Sequence, residues 1–124
     1  MREILFRGKR TTAEGFVYGY YAVFDGRNHS ISNDDGNYWV APETVGQFTG
    51  LTDKNGKMIF EGDIITYNGD AMEVKWDTPG ALFYFKGIRT NNWIFDFCNL
   101  QRSAVEVIGN VYDNPELLEV SEDG

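Results

Sequence analysis

The sequence of 124 residues contains a single histidine, His29, and a single cysteine, Cys98. One cysteine excludes a disulfide within the chain, and a reducing compartment such as the cytoplasm is therefore expected. Zinc sites with two histidines are excluded within one chain, and a Ser-His-Asp or Cys-His arrangement would have to use His29. Polar loop residues surround His29, so a solvated loop side chain is predicted. Cys98 stands beside Phe97 without a basic neighbour, which predicts a buried and unreactive thiol.

Long apolar runs are also lacking. No stretch approaches the roughly 20 apolar residues that a membrane-spanning helix needs. The opening residues, MREILFRGKR, do not contain the apolar segment of a secretion signal. We therefore expect a cytoplasmic protein that does not contact a membrane.

Basic residues are few, with 11 lysines and arginines against 19 aspartates and glutamates and a formal net charge of −8. Such a chain repels nucleic acid unless its basic residues converge on one face. The one local concentration comprises Arg2, Arg7, Lys9 and Arg10 at the N-terminus. Nucleic acid is therefore a weaker candidate partner than protein.

No group of residues specifies a reaction. Glu61, Asp63, Glu73 and Asp77 are close enough in sequence to suggest a paired acid and base. Four carboxylates are expected in so acidic a chain, however, and solvated strand and turn positions are the preferred interpretation. The acidic segments 33–37 and 53–56 miss the ligand spacing of a calcium loop and are predicted to be turns. No catalytic, cofactor-binding or metal-binding residue is predicted, and the chain is not expected to be an enzyme.

Hydrophobic residues make up 42% of the chain and aromatic residues 15%, which is enough for a folded core. Apolar and polar or small side chains alternate with period two in residues 16–20, 72–76 and 93–97, a pattern typical of β-strands. With glycine turns every eight to twelve residues, this pattern predicts a mainly β fold, a small antiparallel barrel or meander. One domain, residues 1–124, is expected, with sub-lobes 1–52 and 57–120 as an alternative division.

Local signals add detail to this fold. Asn55-Gly56 predicts a two-residue type I′ hairpin turn, and Gly19 within a strand predicts a bulge or a close backbone approach. The polar segment 25–37 is predicted to be a mobile loop interrupted by a short strand around Ile31. Asn114 as N-cap and Pro115 at the first helical position predict one short C-terminal helical turn over residues 115–120.

Several longer segments carry a family resemblance. They are REILFRG at 2–8, ETVGQFTGLTDKNGK at 43–57, IFEGDII at 59–65, a V-x-W strand at 74–76 and VIGNVYDNPELL at 107–118. Their order resembles the YopX family of bacteriophage and prophage proteins, which implies a phage or prophage origin and a β-rich fold. The resemblance implies no catalytic residue or cofactor. Residues 60–112 are also similar in architecture to SH3-like barrels, a similarity that carries no function.

The aromatic excess favours an interaction or assembly module that associates with itself. The interface is expected to include Tyr38, Trp39 and Phe48, while the alternative is that these rings fill the core of a monomer. A host or phage protein is a further candidate partner. A different class of function is a phage accessory protein that binds a nucleic acid strand through residues 2–10, or binds a host nucleic-acid-binding protein through its acidic face.

Overall fold

The computed structural model describes residues 5–95 and 100–119. The chain falls into two compact units, Met1–Gly50 (unit 1) and Leu51–Gly124 (unit 2). Their boundary is close to the hairpin at residues 52–57, where the sequence suggested a division into sub-lobes. Each unit is built on antiparallel strands, and the prediction of a mainly β fold is confirmed. Cys98, and the end of the strand predicted over residues 93–97, lie outside the described residues.

Unit 1 contains four strands and most of a fifth. They are Phe6–Lys9 (β1), Phe16–Phe24 (β2), Asn28–Asn33 (β3), Gly36–Trp39 (β4) and Gly46–Thr52 (β5), with a 3₁₀ turn at Pro42–Thr44. Their spatial order is β4-β3-β2-β1-β5. The period-two pattern of residues 16–20 lies within β2, as predicted. β5 continues past Gly50 into unit 2.

Most of the polar segment 25–37 is strand rather than loop, so the prediction of a long mobile loop is wrong. Asp25 and Gly26 have φ angles of 56° and 69°, and the Arg27 N–H donates to the Phe24 carbonyl at 3.1 Å. This type I′ turn reverses the chain within the three residues Asp25–Arg27, so β3 pairs with β2 from Phe24 and Asn28 onward. The short strand expected around Ile31 is confirmed, and Ile31 is completely buried.

The core of unit 1 is formed by Val17, Ile31 and Val40, with Phe6, Tyr21, Tyr38 and Val45 packed against them. The end of β4 returns toward the end of β1 through one isolated bridge between Arg10 and Val40. This single bridge brings β4 next to β1 at one point only, so the sheet is curved around the core but does not close into a barrel. A Cβ added to Gly19 would overlap the Ser32 carbonyl oxygen, so the predicted close backbone approach is confirmed.

Unit 2 contains the remaining strands. They are Met58–Phe60 (β6), which pairs with the end of β5, and then Asp63–Tyr67 (β7), Asp70–Asp77 (β8), Leu82–Gly87 (β9), Trp93–Ile94 (β10) and Val105–Asn110 (β11). The last five form an antiparallel sheet in the order β10-β9-β8-β7-β11. Four strands form a meander and the fifth returns beside the first. In the described residues neither sheet closes into a barrel, so the fold is the meander form.

The core of unit 2 is larger than that of unit 1. Its main cluster contains six almost completely buried residues: Ile59, Ile65, Met72, Val74, Phe85 and Val105. The C-terminal helical turn is confirmed as a 3₁₀ turn at Pro115–Leu118. Asn114 does not cap it, however, because its Oδ1 accepts the Asn110 N–H at 3.2 Å instead.

Candidate functional site

The exposed rings of unit 1 are concentrated on one face of its three-stranded meander. In this register Tyr20 lies opposite Ser32, Ala22 opposite Ser30, and Ser30 opposite Trp39. Paired residues share a face of a sheet, and residues two apart along a strand do so too. We call this surface the outer face, defined by Tyr20, Ala22, Phe24, Ser30, Ser32 and Trp39.

The outer face exposes large rings to solvent. Tyr20 is 73% exposed, Trp39 52% and Phe24 51%. The intervening positions, Ala22, Ser30 and Ser32, carry small side chains. Large rings separated by small neutral residues leave hollows between the rings, which another surface can fill.

One hollow at the outer face is a cleft of about 240 Å³, lined by Phe24, Ser30, Asn37, Tyr38 and Trp39. The ring centroids of Phe24 and Trp39 are 6.1 Å apart in an edge-to-face arrangement. Ser30 is only 2% exposed, and among the described residues its hydroxyl has no hydrogen-bond partner. Because buried polar groups in folded proteins are nearly always paired, this hydroxyl stands out.

The three residues predicted to form the interaction surface do not share one face. Tyr38 and Trp39 are neighbours in β4 and therefore lie on opposite sides of the sheet. Trp39 belongs to the outer face, while Tyr38 packs against the core. Phe48 is half-buried on β5, which three strands separate from β4. Tyr20 and Phe24, which accompany Trp39, were not among the predicted residues.

The basic residues near the N-terminus contact aromatic rings. The Arg7 guanidinium lies 4.3 Å from the centroid of Phe16, and the Lys9 Nζ lies 4.7 Å from the same centroid. Arg7 is buried. The Arg10 guanidinium lies 5.7 Å from the Tyr38 ring. Arg2 lies outside the described residues. These cation–π contacts place all three cations against aromatic rings of unit 1.

Unit 2 carries a separate group of rings, Tyr84, Trp93 and Phe95, which we call the ring stack. The centroid distances are 5.2 Å for Tyr84–Trp93, 5.0 Å for Tyr84–Phe95 and 5.8 Å for Trp93–Phe95. The interplanar angles do not exceed 22°. Lys86 holds its Nζ 5.2 Å from the Trp93 centroid. The ring stack therefore combines parallel rings with one adjacent cation.

The carboxylates considered as an acid and base pair include turn positions. Asp63 is buried and accepts the Phe60 N–H at 2.8 Å, and Asp77 accepts the Gly80 N–H at 3.1 Å. Glu73 forms an ion pair with Lys75 at 3.6 Å. Glu61 and Glu73 line one shallow recess. Within residues 5–95 and 100–119, no three His, Cys, Asp or Glu side chains are grouped closely enough to hold a metal ion.

The sequence predicted that His29 is a solvated loop residue. This prediction is wrong, because His29 lies within β3. Its Nδ1 is hydrogen-bonded to the Tyr21 hydroxyl, and the two rings stack with centroids 5.7 Å apart. His29 and Tyr21 belong to adjacent strands. The imidazole is half-buried, and its contacts give it a packing role.

Asp53 is the buried carboxylate that organises the hairpin between β5 and β6. Its Oδ1 accepts the N–H groups of Asn55 and Lys57, each at 2.9 Å, and its Oδ2 accepts the N–H of Val107 on β11 at 2.9 Å. Burial raises the pKa of this carboxyl, but the three backbone hydrogen bonds and the charge of Lys57 together hold its pKa below the ordinary value. Asp53 is therefore a structural carboxylate.

The hairpin that Asp53 holds is not the type I′ turn predicted at Asn55-Gly56. Gly56 has a φ of 79°, whereas Asn55 does not have a positive φ. The Gly56 N–H donates to the Asp53 carbonyl at 3.0 Å, and the Asp53 N–H donates to the Lys57 carbonyl at 2.8 Å. This is a three-residue loop that ends in a left-handed glycine. The Asp53 side chain selects it by accepting the Asn55 and Lys57 amides.

Comparison with known proteins identifies a family and a similar fold but gives no biochemical activity. A family model described as YopX protein matches residues 6–119. The crystal structure of protein EF1440 from Enterococcus faecalis is similar, with a TM-score of 0.54 and 22% sequence identity over 96% of this chain and 100% of that chain. At this identity the likeness concerns the fold alone. No curated protein matches the chain. None of the described helical turns is long and apolar enough to cross a membrane.

Proposed function

This chain belongs to the YopX family, and we propose that it is a phage- or prophage-derived protein that binds a second copy of itself without catalysing a reaction. We place this activity in the cytoplasm of a bacterial host, where a lone cysteine stays reduced. The surface that we assign to this contact is the outer face of unit 1.

The observation that carries the proposal is the exposure of Tyr20, Phe24 and Trp39 on one face. Water solvates such rings poorly, and burying them against a matching surface is favourable. Tyrosine, tryptophan and phenylalanine are enriched in protein interfaces. Clustered exposed rings on a small domain are therefore typical of a protein-binding surface.

The distribution of charge favours unit 1 as the place of contact between two copies. Unit 1 contains five basic and six acidic residues, whereas unit 2 contains six basic and thirteen acidic residues. Two copies that met through unit 2 would bring two strongly negative surfaces together, which costs free energy. Contact through the nearly neutral unit 1 avoids this cost.

The proposal is tested by replacing Trp39 and measuring molar mass. Light scattering coupled to size exclusion at low micromolar concentration is expected to give an oligomer for the unchanged protein. Trp39→Ala should shift the protein toward the monomer, because a central aromatic side chain in an interface contributes on the order of 2 kcal/mol or more. The stability of the monomer should change by less than about 1 kcal/mol, since the side chain is largely exposed.

Trp93→Ala is the matched control, because Trp93 is 47% exposed but belongs to unit 2. It should leave the oligomer unchanged. A monomer mass for the unchanged protein would contradict the proposal. A Trp39→Ala protein with lost β circular dichroism would assign the ring to the folded core instead.

The ring stack supports a second candidate, binding of a single nucleic acid strand. Near-parallel rings beside a lysine are typical of surfaces on which bases stack. The net acidity of unit 2 opposes this candidate. A fluorescence titration with a single-stranded oligonucleotide tests it: binding should weaken steeply with salt and be reduced by Trp93→Ala. Absence of binding at low salt would exclude it.

A further inference from the structure

Tyr20 is the most prominent projection on the outer face. Its 73% exposure exceeds that of Trp39 and Phe24. Two of its neighbours on this face, Ala22 and Ser32, are small, so the phenol ring stands above them. The third, Tyr18, is 42% exposed. The ring is also apolar with a hydroxyl at its tip, so a complementary site must offer both an apolar wall and a hydrogen-bonding group.

The cleft between Phe24 and Trp39 offers both features. Two aromatic rings form its walls, and Ser30 contributes a hydroxyl that has no hydrogen-bond partner among the described residues. The cleft volume of about 240 Å³ is sufficient for a phenol ring, since a cavity of about 150 Å³ holds benzene. The rings of Phe24 and Trp39 cover the Ser30 face, and exposed side chains of this kind change rotamer within nanoseconds.

We propose that Tyr20 of one copy enters the Phe24–Trp39 cleft of a second copy, where its hydroxyl forms a hydrogen bond with the Ser30 hydroxyl. This inference rests on the self-association proposed above and specifies its contact. It also accounts for the buried Ser30 hydroxyl, because the phenol supplies its missing partner.

The occupant is a second copy because projection and cleft lie on the same face of the same sheet. A two-fold axis between two such faces brings each Tyr20 to the cleft of the other copy, so two identical contacts form. The six residues that define the outer face are uncharged, so two copies do not repel each other through them. Sheets that pack face to face interdigitate their side chains in this way.

The contact is tested by measuring the dimer Kd by sedimentation equilibrium for Tyr20→Phe, Ser30→Ala and the double variant. The symmetric dimer contains this hydrogen bond twice, and each single substitution removes one partner from both copies of it. Kd should therefore rise about 25-fold, about fivefold for each bond. The double variant should be no weaker than either single variant, because both remove the same interaction. Tyr84→Phe removes a tyrosine hydroxyl in unit 2 and should leave Kd unchanged.

A mixing experiment tests the reciprocal geometry. Tyr20→Ala retains the cleft but lacks the projection, while Trp39→Ala retains the projection but has a damaged cleft. Each variant alone has no complete contact and should be largely monomeric at concentrations at which the unchanged protein is dimeric. A mixture of the two should form a heterodimer with one intact contact. Far-ultraviolet circular dichroism verifies that both variants remain folded.

The outcomes separate this inference from the proposal on which it rests. An oligomer that is unaffected by Tyr20→Ala and Tyr20→Phe would overturn the contact and leave self-association standing. Additive effects of Tyr20→Phe and Ser30→Ala, or a mixture without heterodimer, would also overturn it. A monomeric unchanged protein would overturn both statements.

Discussion

Unit 2 contains buried carboxylates that accept backbone N–H groups, whereas unit 1 contains the buried Ser30 hydroxyl beside a second buried hydroxyl, that of Thr44, which is hydrogen-bonded to Lys9 and Ala41. In unit 2, Asp53 accepts three backbone N–H groups, and Asp63 accepts the N–H of Phe60. In the described part of unit 1, the buried Ser30 hydroxyl has no hydrogen-bond partner. A buried polar group with its partners present stabilises the fold, whereas one without a partner costs free energy until a partner arrives. The two carboxylates therefore stabilise the fold, whereas the Ser30 hydroxyl is available for the intermolecular contact proposed above.

The position of the exposed rings follows the same division. Unit 1 buries only three residues in its core cluster, and the rings of its outer face project into solvent. Unit 2 has twice as many buried core residues, with two carboxylates that join its turns to its strands. The larger apolar core of the described residues therefore lies in unit 2. The surface assigned to self-association lies on unit 1.

The largest expected effect is the destabilisation of unit 2 by Asp53→Ala. Removing the carboxylate leaves three backbone N–H groups without their acceptor, and two of them hold the hairpin loop. We expect a loss of stability on the order of 3 kcal/mol. Urea denaturation followed by circular dichroism measures it. Asp77→Ala, which removes one acceptor at a turn, is the control and should cost less than about 1 kcal/mol. Equal losses of stability for Asp53→Ala and Asp77→Ala would show that Asp53 does not have the special structural role in unit 2 that its three hydrogen bonds indicate.

Gly56→Val should have the next largest effect. Gly56 has a φ of 79°, at which a β-branched side chain is strained, although an added Cβ meets no atom within 4 Å. We expect a loss of about 1–3 kcal/mol in the free energy of unfolding. Gly56→Asn is the matched variant, since asparagine tolerates this conformation and should cost less. If valine and asparagine cost the same, the strain argument is wrong.

Much of the fold was predictable from the sequence because period-two alternation and glycine turns are local signals. The strands that contain residues 16–20 and 72–76 follow directly from these signals. The pattern predicted only a short strand around Ile31 inside a mobile loop, since Ile31 is the one apolar residue among the six of β3. That one side chain is completely buried, and the type I′ turn at Asp25-Gly26 aligns the strand. One buried residue and a correct turn were sufficient to form a strand.

The candidate site was only partly predictable because it depends on register. Both faces of β2 carry apolar residues, so local sequence did not reveal that Tyr20 faces solvent and Tyr21 faces the core. The surface predicted at Tyr38 and Trp39 was split because adjacent residues in a strand point in opposite directions. Asp53 was assigned to a turn, but its third partner, Val107, is 54 residues away. Contacts of this range do not appear in a local pattern.

The smallest expected effect is the pH dependence that Asp53 adds to the stability of the chain. The backbone hydrogen bonds hold its pKa below the ordinary value of 3.8 in the folded protein, so folding favours the ionised carboxylate. The resulting stabilisation is fully present above the pKa of the unfolded chain and is lost as the pH falls through the folded pKa.

Asp53→Asn does not titrate. The stability difference between the unchanged protein and Asp53→Asn should therefore be constant near neutral pH and narrow below about pH 4. Denaturation midpoints measured between about pH 7 and about pH 3 test this, with Gly56→Val as a control whose difference should not depend on pH. If the difference for Asp53→Asn stayed constant over that range, the backbone hydrogen bonds would not lower the pKa of the carboxyl group in the folded protein. The contrast between the two units would then rest on packing alone.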